Sequence, residues 1–229
     1  AVARAAGWIP AGAEADHVSF GNMLGADRKM FRSRVGDAVR LSDLVDEAIA
    51  RAEAAIVEKN ADLDDAERAE VAPMIGIGAL KYADLSTDRT RDYAFDWDRM
   101  LSFDGNTAPY LQYAHVRCRS IFRRANVDPA PYGAGEVLVT VDEAAERALA
   151  IALLNFDTAI SAALETWSPH KLCTYLFDLA GTFTTFFETC PVLKAEPQTR
   201  ESRLALCAIT AEVLAAGLAA LGIEAPERM

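Results

Sequence analysis

Histidine is scarce in this chain. His17, His115 and His170 are the only three among 229 residues. They form no HExxH pair, and none stands at ligand spacing from Cys118, Cys173, Cys190 or Cys207. No metal site is therefore expected. The cysteines make no CxxC pair and sit in apolar or helical stretches, which reads as reduced core thiols in a cytoplasmic protein. No run approaches the roughly 20 consecutive apolar residues of a membrane span, so no membrane partner is expected. The opening residues, AVARAAGW, lack the apolar centre of a secretory signal. GxGxxG, Walker A and GxSxG patterns are missing, which removes the commonest dinucleotide, nucleotide and acyl-transfer signatures. Basic residues are in deficit, 23 against 34 acidic ones, for a formal net charge of −11. As a total, that charge opposes nucleic-acid binding.

What the chain has in quantity is apolar surface and alanine. Hydrophobic residues make up 52% and alanine alone supplies 44 positions, so a sizeable core in a mainly helical protein is expected, in one or two domains. A strand is predicted over Val18–Leu24. A helix is predicted from Ser42 as cap to about Lys59, and another from Asp62 as cap, which Pro73, Gly76 and Gly78 should kink or interrupt. RTRDYAFDWDRMLSFDGNTAP reads as a long ordered loop. Its Asp92, Asp96 and Asp98 are read as loop caps and ion-pair partners of Arg89, Arg91 and Arg99 in preference to a metal cluster. A helix is predicted over Ala108–Ala125, and a surface loop in NVDPAPYGAGE. A capping box formed by Thr140 and Glu143 should open the next helix, and Ser168–Pro169 the one after it. The last helix should run from near Pro197 to Leu221, with Leu204, Cys207, Ala211, Leu214 and Leu218 buried and Gly222 as its stop.

The charge is unevenly placed. Residues 41–70 carry ten acids against three bases. Residues 28–34 (RKMFRSR) hold four cations and no acid, and residues 105–127 hold Arg117, Arg119, Arg123 and Arg124, again with no acid. Such clusters serve either as solvated faces and partners of acidic helices or as phosphate contacts. At about 100° per residue, Leu111, His115, Cys118 and Phe122 form one apolar stripe of the 108–125 helix. Tyr110, Tyr113, Arg117 and Arg124 fall on a separate arc. Two readings remain open for that arc. The rings and guanidinium groups stack on the bases of single-stranded RNA, or the tyrosines pack on a neighbouring helix. His115 reads as a core histidine.

Taken together, HVSFGNMLGADRKMFRSRVGDAVRLSDLVDEA, GIGALKYADLS, FDWDRMLSFDGNTAPYLQYAHVRCRSI, HKLCTYLFDLAGTFTTFFETCPVL and the ending LGIEAPERM resemble the carboxy-terminal part of an arginyl-tRNA synthetase, a class I aminoacyl-tRNA synthetase. The resemblance spans nearly the whole chain. It implies a mainly α fold: a helical bundle of the anticodon-binding type named for its DALR motif, preceded by a short remnant of the α/β catalytic domain. Residues 1–40 would end the catalytic Rossmann domain, 41–104 would be connecting helices and an ordered loop, and 105–229 the anticodon-binding domain. RKMFRSR would be the KMSKS-type loop, with Lys29, Arg32 and Ser33 at the ATP phosphates. Tyr110, Tyr113 and Arg117 would grip the anticodon loop, with Phe187 and Met229 beside them. The HIGH motif of the class needs two histidines three residues apart and is absent. The chain also lacks a starting methionine, so a piece of a longer ligase is expected. Alone it should form no adenylate and hold neither ATP nor magnesium; ATP and arginine would reach it through the missing catalytic part. An arginine tRNA would be its partner, and a cytoplasmic monomer is expected. The alternative is a free-standing, non-catalytic tRNA-binding module.

Overall fold

The structure is a computed structural model that describes residues 2–10, 12–25, 40–59 and 63–229. A single helical turn, α1 (Val2–Ala5), opens it, and extended backbone leads to β1 (Met23–Leu24). The strand expected from Val18 is thus only two residues long, because Gly21 and Asn22 interrupt its β-favouring run. It pairs in parallel with β2 (Tyr93–Ala94), Met23 opposite Tyr93 and Leu24 opposite Ala94. Part of the segment read as loop therefore supplies its neighbour.

Two long helices follow β1. In α2 (Leu41–Lys59), Ser42 lies inside the first turn and its hydroxyl donates to the Asp43 carboxylate, so it does not cap. The Arg40 carbonyl takes the first helical bonds, from Asp43 and Leu44. In α3 (Asp65–Leu85) the cap is Asp64, with Asp62 outside the described residues. Asp64 Oδ1 accepts the Glu67 N–H at 2.8 Å and Glu67 Oε2 accepts the Asp64 N–H at 3.2 Å, a reciprocal capping box. Pro73 does not interrupt α3. Its missing N–H deprives one carbonyl of a partner, a local cost that burial of Val71, Ala72 and Ile75 against Ala52 and Ile56 offsets. Gly76 has a packing role: a Cβ there would lie 2.7 Å from the Ala48 carbonyl carbon, so its bare backbone lets α3 lie directly on α2.

The loop expected between Arg89 and Pro109 also contains α4 (Trp97–Met100), capped by Asp96. Next comes α5 (Ala108–Ala125), whose ends match expectation. The Thr107 hydroxyl accepts the Tyr110 N–H at 3.3 Å, and Asn126 closes the helix with left-handed φ of 53°. The NVDPAPYGAGE loop holds one turn, α6 (Ala130–Gly133), because Tyr132 is drawn into the core against Phe122. The next helical stretch is divided into α7 (Ala144–Leu154) and α8 (Phe156–Glu165) at Asn155. Thr140 does not cap it. Its backbone N–H donates to Ser202 Oγ and its carbonyl accepts from the same hydroxyl, while the Glu146 carboxylate takes the N–H groups of Asp142 and Glu143. Ser168 likewise spends its hydroxyl on the Thr166 carbonyl, and α9 (His170–Thr189) starts without a side-chain cap.

The final helix, α10 (Pro197–Ala220), is the axis of the bundle. Leu204, Cys207, Ala211, Leu214 and Leu218 are all buried as the spacing predicts, packed with residues of α5, α7 and α9 in the main core. By length and composition α10 and the 144–165 stretch are each apolar enough to cross a membrane. Burial within the bundle accounts for α10, and the other stretch is the broken α7–α8 pair. After Gly222, at φ of 71°, the last residues turn back across α3 and α5. Lys81 donates to the Gly222 carbonyl, and Gln112 Nε2 donates to Met74 O at 3.1 Å and Glu224 O at 2.8 Å. Arg119 pairs with Glu227, and Arg228 with Glu67. This tail ties the α2–α3 hairpin to the bundle.

Candidate nucleic-acid interface

Helix α5 buries Leu111, Ala114, His115, Cys118, Ile121 and Phe122, which fixes the rotation of everything else on it. Tyr113 is left 41% exposed. One turn on, the Arg117 guanidinium lies over the Tyr113 ring, 4.8 Å from its centroid, and its Nη2 donates to the Tyr113 hydroxyl at 3.2 Å. The same guanidinium lies 5.3 Å from the centroid of Phe187, which comes from α9. Phe187 in turn packs on the buried Phe183 at 6.1 Å between centroids. The cation is thus bracketed by two rings from different helices, with core packing behind one of them. A planar cation between ring faces has its orientation set before any ligand arrives.

The arc drawn from helical periodicity divides in three dimensions. Tyr110 is half-buried and turns its ring against Phe177 of α9, 5.6 Å away. Tyr110 with Phe177 and Arg117 with Phe187 advance together along both helices, so α5 and α9 run in the same direction. α9 covers the start of the arc and leaves Tyr113 open. Phe187, far from α5 in sequence, is brought to Arg117. Met229 packs on the α2–α3 cluster and lines a groove of about 340 Å³ with Ser120, Arg123, Arg124 and Arg228. It therefore lies further along α5 than the Tyr113–Arg117–Phe187 group. Lys29, Arg32 and Ser33 are outside the described residues.

The core histidine expected at 115 is buried, with Nδ1 3.0 Å from the Pro226 carbonyl. Burial pushes its pKa below the ordinary value, against the pull of that carbonyl, so the neutral ring with a proton on Nδ1 holds the tail. A second cavity, about 460 Å³, lies where β1 and β2 meet α3 and α5, lined in part by Tyr82, Asp92, Asp96, Arg99 and Thr107. Its aspartates are committed to backbone, Asp92 to Asn22 N–H and Asp96 to Arg99 N–H. Arg89 bonds the carbonyls of Ser19 and Trp167, not the aspartates expected as its partners. Among the described residues no three His, Cys, Asp or Glu side chains gather in a way that could hold a metal ion. Spacing missed Gln112 and Arg228. Their partners lie from 38 to 161 residues away in the chain, beyond the reach of any periodicity.

Known proteins with this pattern are consistent in kind. Residues 111–229 match the family described as the DALR anticodon binding domain, and residues 1–97 match the class I (R) tRNA synthetase catalytic domain. An arginine–tRNA ligase of Thermobifida fusca is 54% identical over 99% of this chain, and one of Mannheimia succiniciproducens is 48% identical over all of it. The chain spans 39% of the length of each of those proteins. Among solved structures, the arginyl-tRNA synthetase of Thermus thermophilus superposes with a TM-score of 0.79 at 35% identity, covering 93% of this chain and 35% of that one. The Plasmodium falciparum enzyme does so at 0.78 and 30%, with the same coverage.

Proposed function

Because the chain belongs to the arginyl-tRNA synthetase family, with a DALR domain over more than half its length, we propose that it supplies anticodon recognition to an arginine–tRNA ligase. The observation that carries this reading is the half-buried Arg117 guanidinium bracketed by the exposed Tyr113 and by Phe187. Unstacked bases of an RNA loop are held by such rings, and the guanidinium offers donors to base edges or phosphate. Tyr110 borders the platform one turn earlier, and Met229 lies beyond it towards the end of α5. Binding of an arginine tRNA, with matched and mismatched anticodons, tests the assignment. Tyr113→Ala and Arg117→Ala should each weaken binding by about 1–3 kcal/mol, roughly 5- to 150-fold. Unchanged affinity in both variants would remove these residues from the site.

Lys29, Arg32 and Ser33 are assigned to the ATP loop of the ligase, and its ATP, magnesium and arginine are met by the catalytic part. We place the ligase in the cytoplasm. The three histidines of this chain form no HIGH pair. ATP–pyrophosphate exchange on the 229-residue chain should accordingly give no arginine-dependent turnover, whereas turnover without a partner chain would contradict the reading.

A further inference from the structure

Four arginines gather where the end of α5 meets the returning tail, and two of them form no ion pair with an acidic side chain among the described residues. Arg119 is paired with Glu227, and Arg228 with Glu67. Arg123 Nη1 donates to the Glu227 backbone carbonyl at 2.8 Å, and neither Arg123 nor Arg124 has a carboxylate side-chain partner among the described residues. Both are exposed. Arg123 and Arg228 line two adjoining hollows. One, about 470 Å³, adds Arg119, Asn126, Asp128 and Glu227; the other, about 340 Å³, adds Ser120, Arg124 and Met229. Partial burial, then the nearby charge of Arg228, press the Arg123 pKa below its ordinary value, so these cations repel one another at close range. Some of this charge is explained by position, since cations favour the C-terminal end of a helix. That accounts for Arg123 and Arg124 on the last turn of α5. It does not account for Arg228, which the tail brings in from over a hundred residues away.

We infer that the groove formed by Ser120, Arg123, Arg124 and Arg228 binds a backbone phosphate of the RNA whose loop bases stack at Tyr113, Arg117 and Phe187. The inference rests on the proposed anticodon reading and extends it from bases to phosphate. Arg124 is seven residues beyond Arg117, about 10.5 Å along the helix axis and nearly on the same face. One rigid helix therefore presents a base platform and, two turns on, a set of guanidinium donors; the Ser120 hydroxyl beside them is spent on the Arg117 carbonyl at 2.8 Å. Such donors match phosphate oxygens in a fork geometry. The division of labour is physical: the platform distinguishes loop sequences, and the groove fixes the register of the strand without reading it.

Salt titration of tRNA binding separates the two. For the 229-residue chain, the logarithm of the binding constant is measured against the logarithm of salt concentration, with matched and mismatched anticodons. Arg123→Gln and Arg124→Gln should each reduce the slope by about 0.7–0.9 and weaken matched and mismatched tRNAs by the same factor. Arg147→Gln, an exposed arginine of α7 outside the groove, should leave the slope unchanged. The inference is overturned if the Arg123→Gln/Arg124→Gln double variant keeps the wild-type slope. It is also overturned if Arg147→Gln lowers the slope equally, or if only the matched tRNA is weakened. Tyr113→Ala reports on the other reading: it should change discrimination between anticodons and keep the slope. Should it change neither while the groove variants lower the slope, the stacking assignment falls and the phosphate groove stands.

Discussion

Replacing Arg203 by methionine should lower the unfolding free energy by about 3–5 kcal/mol, the largest loss expected from any charged residue among the described ones. Arg203 lies on α10, its side chain 10% exposed, and its Nε donates to Glu146 Oε1 at 2.6 Å. Its Nη1 donates to the Pro191 carbonyl at 2.7 Å. Glu146 is 2% exposed and its other oxygen accepts two backbone N–H groups at the start of α7. The variant keeps the volume and leaves a buried carboxylate without its cation. Urea unfolding at neutral pH reads the loss directly. A pH series adds a sign. Burial works against ionisation of Glu146, but the N–H groups of Glu143 and Asp142 and the guanidinium outweigh it, and the carboxyl is held below its ordinary value of 4.5. A depressed folded-state pKa stabilises the fold at pH above the unfolded value, and the contribution is lost as pH falls through the folded value. The gap between wild type and Arg203→Met should therefore narrow below about pH 4.5. A gap constant down to pH 2 would mean that the ion pair is not its source.

Phe183→Ala should be comparably costly, about 3–5 kcal/mol by the same unfolding measurement, and should also reach the RNA surface. Phe183 is fully buried on α9 and lies 6.2 Å from Phe186 and 6.1 Å from Phe187 between ring centroids. Truncating it opens a hole under Phe187, the ring on one side of Arg117. Phe183→Leu fills most of that hole and should recover most of the stability. If Phe187 positions Arg117, tRNA binding should follow the same order: wild type, Phe183→Leu, then Phe183→Ala, measured where all three are folded. Equal binding by folded Phe183→Ala and wild type would show that Arg117 does not depend on Phe187.

Helix α5 shows how far spacing reaches. Its limits, its buried stripe and the burial of His115 follow from apolar residues recurring three and four apart, from Thr107 before Pro109, and from Asn126 in the left-handed conformation that ends a helix. The alternation of charge along the chain was equally legible. The capping errors share one cause. Ser42, Thr140 and Ser168 each have the right chemistry for a cap, yet their hydroxyls or backbones bond to Asp43, Ser202 and Thr166 instead. For Thr140 the competing partner, Ser202, is on another helix, where no local pattern could reveal it. Pro73, expected to kink or interrupt α3, does not interrupt it for the same kind of reason: packing of α3 on α2 exceeds a local backbone cost.

The net charge of −11 shows the same division. Its partition into an acidic hairpin and a cationic helix is a property of the order of residues, and so is the arc bearing Tyr110, Tyr113, Arg117 and Arg124, because a helix converts order into direction. Which members of that arc meet solvent is decided by what packs beside the helix. Helix α9 takes Tyr110 against Phe177 and supplies Phe187 to Arg117, and the tail adds Arg228 and Met229 near Arg123 and Arg124. The sequence by itself determined the family pattern and most of the long helices with their buried stripes, since such stripes follow from residues three and four apart, but not the short α4 and α6 or the break at Asn155. Only the tertiary structure assembled the ring–guanidinium platform and the arginine groove, because each joins α5 to side chains about seventy (Phe187) or over a hundred (Arg228) residues further on, held together by a core that no single segment contains.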